Sequence, residues 1–161
     1  MAVRDGYYVI YHNKEYSLFY GKIENKKNVL ILSHNPNDIN NGFKLSYSEE
    51  YMKEHQFFTC EKEVPKSEIS EAYKIKTYAD YKGFRLYVYG QDVNNVLRLV
   101  TVQELSHSSK SDGKIRETLM EMGFKIFDVE KTGCTYVKYV PIDDPELELI
   151  EERTEIDISK W

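Results

Sequence analysis

The sequence predicts an α+β protein built mostly of antiparallel sheet. Three observations carry this prediction: fourteen tyrosines in 161 residues, short polar turns between apolar runs, and a stretch that occurs twice in similar form. Aromatic and β-branched residues favour pleated, half-buried surfaces, so the tyrosines argue for strands. Short turns join antiparallel neighbours, because parallel strands need long crossover connections.

The repeated stretch is a tyrosine-rich hairpin followed by a third strand. Its first copy, YVIYHNKEYSLFYG, has its predicted turn at Asn13–Glu15, and its second copy, YADYKGFRLYVYG, turns at Lys82–Gly83. Residues at alternate positions share one face of a strand. The alternating residues are Tyr16, Leu18 and Tyr20 in the first copy and Phe84, Leu86 and Val88 in the second.

Later landmarks extend the repeat into two similar units, about 1–73 and 74–161, within one domain spanning 1–161. NNGFKLSY in the first is matched by EMGFKIFD in the second, and each copy later has a strand ending in Val-Pro. Ser67 and Asp143 then offer N-caps, with acidic residues in the following turn. These are helix start signals, so each unit is predicted to end in a short helix.

The second unit also contains a predicted amphipathic helix. Ile115, Leu119 and Met122 follow the spacing of one helical face. Ser111 or Asp112 is the predicted cap, and Gly123 ends the helix as a C′ glycine.

Targeting signals and paired cysteines are missing from the pattern. No stretch approaches the ~20 apolar residues of a membrane span, and the N-terminus has no apolar signal region. Cys60 and Cys134 form no CxxC pair and are expected to be reduced thiols. We therefore expect a cytoplasmic protein that does not contact a membrane.

No catalytic, cofactor or metal pattern occurs in the sequence. The four histidines have no metal-ligand spacing, and the chain has no GxGxxG, GxxxxGKS or GxSxG stretch. Cys134 would need a base close by in the fold to act as a nucleophile. We expect no enzyme activity, no cofactor and no metal.

The charge is concentrated at the C-terminal end. The chain carries −5, and residues 142–161 alone carry −6. This distribution disfavours nucleic acid and suits a basic protein partner. Leu147 and Ile150 are predicted to dock the acidic segment while its acids stay in water. The predicted partner-binding acids are Glu146, Glu148, Glu151 and Glu152.

A second predicted binding group lies in the repeated hairpin. Arg85, Tyr87 and Tyr89 alternate along one strand, so they share one face of the sheet. Tyrosine and arginine are enriched at binding hot spots. The same face has the composition of sheets that stack nucleobases, although the acidic total weighs against that function.

The stretches EAYKIKTYADYKGFRLYVYG and DGYYVIYHNKEYSLFYG, with the closing ERTEI, resemble the immunity proteins encoded beside polymorphic toxins in Gram-positive bacteria. The resemblance covers most of the chain and includes no catalytic motif. It implies a cytoplasmic, non-enzymatic protein that binds and neutralises one cognate toxin domain, with a basic surface on that domain. It assigns no contact residue.

Two other functions fit the same sequence. One is a small-molecule or nucleotide-binding module of phage or regulatory type that uses the cleft between the two units. A deep aromatic-lined pocket would favour this function. An enzyme would require histidine, cysteine or carboxylate side chains that converge in the fold. A flat exposed patch with acidic rims would favour a protein partner instead.

Overall fold

The computed structural model describes residues 3–19 and 26–161, which form mostly antiparallel strands with two α-helices. The α+β class is thus confirmed. Contacts divide the chain into two units. The first unit comprises Asp5–Lys76 and Arg153–Trp161, and the second comprises Thr77–Glu152 together with Val3 and Arg4.

The first unit is an antiparallel ladder in the order β6-β1-β2-β3-β5-β4. A 3-10 turn over Pro36–Asn41 follows β3, and the short helix α1 (Glu49–Glu54) leads into β5. The long strand β6 begins in this unit and ends in the second. The strands are β1 (Gly6–Tyr11), β2 (Lys14–Leu18), β3 (Asn28–Ser33), β4 (Lys44–Leu45), β5 (Cys60–Pro65) and β6 (Ile69–Tyr81).

The hairpin of β1 and β2 turns one residue earlier than its sequence predicts. His12 and Asn13 form a two-residue loop with φ of 49° and 63°, and Lys14 already pairs with Tyr11. Two positive φ values match the twist of a tight hairpin, and asparagine tolerates this conformation better than most residues. Tyr20, predicted to continue the alternation of this strand, lies outside the described residues.

The second unit has the ladder order β6-β7-β8-β11-β10, while β12 pairs with β6 and β9 with β11. Its first hairpin turns at Lys82 and Gly83, with φ of 48° and 86°, as predicted. The remaining elements are β7 (Phe84–Gln91), β8 (Val96–Thr101), β9 (Leu105–Ser106), α2 (Lys110–Glu121), β10 (Lys125–Val129), β11 (Gly133–Pro141) and β12 (Leu147–Glu155).

Helix α2 confirms the predicted amphipathic helix. Leu119 is fully buried, and Ile115 and Met122 pack against the same core. The N-cap is Ser109, whose side chain accepts the amide of Asp112, so the helix begins before both predicted caps. Gly123 has φ of 88° and follows the C-cap, as predicted.

The helices predicted after each Val-Pro are wrong. Lys66–Glu68 forms only a 3-10 turn before β6, and the acidic C-terminal segment is strand β12. Leu147 and Leu149, two residues apart, pack on the core of the second unit. That spacing is the period of a strand, whereas the helix prediction relied on Leu147 and Ile150. Pairing with β6 satisfies the strand backbone.

Each unit has its own hydrophobic cluster. Val9, Ile31 and Val64 are completely buried in the first, as are Leu97 and Leu99 in the second. Within the described residues, no helix is long and apolar enough to cross a membrane.

Candidate functional site

A row of four aromatic rings crosses one sheet face of the second unit. Tyr78 and Tyr87 lie directly opposite each other on β6 and β7, with ring centroids 5.6 Å apart. Tyr87 stacks on Tyr89 at 6.1 Å, and Tyr89 meets the edge of Phe127 at 5.7 Å. Tyr89 and Phe127 remain 47% and 41% exposed. We call these four residues the tyrosine face.

Strand alternation places these rings on the side opposite the core. Ala79, Leu86 and Val88 occupy the intervening positions of β6 and β7, and all three are buried in the second unit's cluster. Since successive side chains of a strand point to opposite faces, Tyr78, Tyr87 and Tyr89 must point outward. One face of these two strands therefore packs on the core, and the opposite face exposes aromatic rings to solvent.

Arg85 stands at one end of the tyrosine face and is fixed by Asp80. Its Nε and Nη2 donate to the two carboxylate oxygens at 2.6 and 2.9 Å. The guanidinium carbon lies 6.0 Å from the ring centre of Tyr78. The hydrogen bonds from Arg85 hold the pKa of Asp80 below its ordinary value. A bidentate pair on a strand presents a flat, oriented guanidinium.

Arg98 occupies the other end. Its guanidinium carbon lies 5.9 Å from the ring centre of Phe127, and its Nη2 donates to the carbonyl of Tyr89 at 3.3 Å. Tyr139, which is 63% exposed, lies opposite Arg98 on β11. A surface depression beside this pair is lined by Gly90, Gln91, Asp92 and Val96 as well. Arginine over an exposed ring is a common arrangement at recognition surfaces.

The predicted acids do not form one ridge. Glu146 precedes β12 and bonds to Lys82, with 3.1 Å between Oε2 and Nζ. Glu151 lies 3.5 Å from the guanidinium of Arg4. Leu147 and Leu149, which alternate with the other acids of β12, face the core, and Glu151 continues their side of the strand. Glu151 therefore points away from the tyrosine face, while Lys82 holds Glu146 at the turn between β6 and β7.

Glu148 and Glu152 lie on the side of β12 that faces away from the core. Both side chains are exposed to solvent. The pKa of Arg85 is raised first by its hydrogen bonds to Asp80 and further by the charge of Glu152. Because β12 pairs with β6, this side of β12 belongs to the same sheet face as Tyr78, and alternation places Ile150 there as well. Of the four predicted acids, the fold brings these two to the tyrosine face.

Sequence reasoning identified Arg85, Tyr87 and Tyr89 on this face but not the residues that complete it. Tyr78 could have been predicted, because it is next to Ala79 in the same hairpin and successive residues of a strand point to opposite faces. Phe127 and Arg98 had none, since their contacts depend on the pairing of strands distant in sequence. The residues that were missed are Tyr78, Arg98, Phe127 and Tyr139.

A buried carboxylate stabilises the first unit. The side chain of Asp38 is inaccessible and accepts bonds from Lys14 Nζ at 2.8 Å, Ser33 Oγ at 2.5 Å and Asn41 Nδ2 at 3.0 Å. Burial alone would raise the pKa of Asp38, but these hydrogen bonds outweigh it and hold the pKa below its ordinary value. Because every partner lies within the unit, the cluster fixes the loop after β3.

Cys134 does have a histidine close by. Its Sγ lies 4.0 Å from Nδ1 of His107, whose Nε2 is 3.0 Å from the carbonyl of Glu130. Cys134 is only 5% exposed, so its sulfur is largely shielded from solvent. Among the described residues, no group of three metal-ligating side chains converges.

Comparison with known proteins assigns the chain to a protein family. Residues 3–159 match the model of a family described as Uncharacterised conserved protein UCP033725. The chain belongs to this family. Neither the curated proteins nor the solved structures contain a significant match.

Proposed function

We propose that the chain is a non-enzymatic binding protein whose protein partner docks on the tyrosine face. The observation that carries the proposal is the exposed row of rings from Tyr78 to Phe127, held between Arg85 and Arg98. Aromatic residues and arginine are enriched at interface hot spots, because they bury much area for little loss of conformational freedom.

The acids beside this face define the partner's charge. Glu148 and Glu152 extend the face on its β12 side, where Arg85 is already neutralised by Asp80. A partner with lysine or arginine at the matching position gains attraction and a faster association rate. We extend the proposal to the immunity function: the partner is a toxin domain whose basic substrate-binding surface meets these acids in the cytoplasm.

We also propose that the two units descend from a duplication. The order β6-β1-β2-β3-β5-β4 of the first unit corresponds strand by strand to β12-β6-β7-β8-β11-β10 of the second. The closing pairs of the two hairpins, Tyr11–Lys14 and Tyr81–Phe84, align Tyr16 with Leu86. This alignment differs by two residues from the one that the sequence suggests.

A lysine in each unit supports the duplication at atomic detail. Nζ of Lys62 donates to the carbonyl of Asn41 at 2.9 Å and lies 5.4 Å from the ring centre of Tyr11. In the second unit, Nζ of Lys138 lies 2.6 Å from the carbonyl before Gly123 and 5.2 Å from the ring centre of Tyr81. On this proposal, the tyrosine face is a specialisation of one copy.

Affinity capture from the native host tests the binding proposal. Tagged wild type is compared with Tyr89→Ala, and Tyr47→Ala serves as the matched control, because Tyr47 is a 54% exposed tyrosine outside the tyrosine face. We expect one stoichiometric protein that the wild type and the control retain and Tyr89→Ala loses. Retention of that protein by Tyr89→Ala would contradict the docking surface.

Charge reversal tests the acidic side. Glu148→Lys with Glu152→Lys is compared with Glu117→Lys with Glu121→Lys, which reverses two exposed acids of α2. We expect the first pair to slow association with the captured protein and reduce its salt dependence, while the second pair leaves both unchanged. The immunity function further requires that the captured protein arrests growth when expressed alone and is harmless beside the wild-type chain.

A further inference from the structure

Strand β10 is an exposed apolar edge. It ends the ladder of the second unit and, among the described residues, pairs only with β11. All five of its residues are exposed, including Ile126 at 55%, Phe127 at 41% and Val129 at 60%. A free edge with apolar side chains is a template for pairing with another strand.

The first unit protects the corresponding position. Its edge strand β4 consists of Lys44 and Leu45 only, and Leu45 is half-buried. Very short edge strands are a common protection against unwanted pairing. The edge strand of the second unit is longer and more apolar than β4, and both differences favour pairing with another strand.

The ladder shows which backbone groups β10 offers. The amide of Glu130 donates to the carbonyl of Gly133 at 2.8 Å, so the next pair, Val129 and Cys134, is a non-hydrogen-bonded one. The amide of Val129 accordingly turns to the free edge, where Oδ1 of Asp128 accepts it at 2.9 Å. This outward amide is satisfied within the strand.

A bulge determines the next outward position. The register shifts between Ile126 and Asp128, so that Phe127 is the extra residue opposite Thr135. The next pair, Ile126 with Tyr136, is again non-hydrogen-bonded by alternation. The N–H and C=O of Ile126 therefore point to the free edge, ready to pair with a second strand.

We propose that two copies of this chain associate through β10, antiparallel about a two-fold axis at Ile126. Each Ile126 then donates its amide to the carbonyl of Ile126 in the second copy and accepts the reciprocal bond. The bulge places Phe127 and Asp128 at one position of the ladder, so Lys125 lies opposite Asp128 of the second copy. Symmetry makes this ion pair twice.

This self-complementarity identifies the occupant of the edge. The strand has one cation and one anion, and in this register each meets its opposite rather than itself. Opposite charges directly across strands are stabilising, and like charges are destabilising. An isologous two-fold contact of this kind closes on itself and yields a dimer rather than a fibre.

The test is the oligomeric state of the full chain by sedimentation velocity over a concentration series. We expect a reversible dimer for the wild type. Lys125→Asp alone and Asp128→Lys alone each place like charges opposite one another, and each should raise the dissociation constant on the order of tenfold. The double variant Lys125→Asp/Asp128→Lys restores the opposite pairs and should restore the dimer.

Ile126→Pro gives an independent variant, because it removes the outward amide while leaving the bonds to β11 in place. It should be monomeric, and a thermal melt verifies that it folds. A wild type that stays monomeric at all concentrations overturns the proposal, as does a dimer that the single charge reversals leave intact. Neither result tests the docking of a protein partner on the tyrosine face, because the measurement uses no partner.

Discussion

The ammonium group of Lys138 is 2.6 Å from the carbonyl oxygen of Met122, at the end of helix α2. That carbonyl is one of the last in the helix and has no partner inside it. The same ammonium group lies 5.2 Å from the ring centre of Tyr81. One side chain of β11 thus fixes the end of α2 and packs over a core tyrosine.

Lys138→Met is therefore expected to lower the free energy of unfolding by about 1–3 kcal/mol, because it keeps the stem of the side chain but removes a charged donor. Urea denaturation measures the change. Lys131→Met, at an exposed turn position, is the control and should stay within about 0.5 kcal/mol of the wild type. Equal effects of the two substitutions would contradict the role of Lys138.

Asp38 should make the stability of the protein depend on acidic pH. Hydrogen bonds to its carboxylate hold its pKa below the ordinary value of 3.8 in the folded state. Its stabilising contribution is therefore complete above the pKa of the unfolded chain and is lost as the pH falls through the lower, folded pKa. Urea unfolding at pH 7 and at pH 3 should give a smaller difference for Asp38→Asn than for the wild type. The same difference in both proteins would contradict this assignment.

Gly133→Ala should be strongly destabilising. A Cβ at this position would lie 2.2 Å from the carbonyl oxygen of Leu105, a backbone atom that cannot move aside. We expect a loss of about 2–4 kcal/mol in thermal or chemical unfolding. Gly113→Ala is the matched control, because its added Cβ has room within α2 and alanine favours helix by about 1 kcal/mol. A neutral Gly133→Ala would show that β9 and β11 separate easily.

Leu119→Ala should show that α2 belongs to the core of the second unit. Leu119 is completely buried, and its truncation leaves a cavity that costs about 2–5 kcal/mol. The neighbouring Met120 is 60% exposed, so Met120→Ala should have little effect. Calorimetry of the two variants measures the contrast. Similar melting temperatures would mean that the helix does not pack through Leu119.

Local patterns in the sequence were sufficient for much of the fold. The positions of Ile115, Leu119 and Met122 determine one face of a helix without reference to the rest of the chain. β12 was mispredicted because Leu147, Leu149 and Ile150 fit both periods. The choice between them is made by pairing with β6, an interaction that is not local in sequence.

The candidate site divides in the same way. Tyr87 and Tyr89 share a face by alternation alone, which one strand is enough to predict. The contact of Tyr89 with Phe127 requires knowledge of how β7, β8, β11 and β10 are ordered. A single sequence contains no direct signal for that order.

Asparagine is a thermolabile residue, and Asn41 precedes Gly42, which has no Cβ to hinder attack of its backbone nitrogen on the asparagine side-chain amide. In the folded chain that amide is bonded to Asp38 and the amide of Gly42 to the carbonyl of Ile39. These hydrogen bonds hold the side-chain amide of Asn41 and the backbone nitrogen of Gly42 in positions that disfavour the attack. The rate of deamidation at Asn41, measured by mass spectrometry on stored protein, would therefore report how often this loop opens.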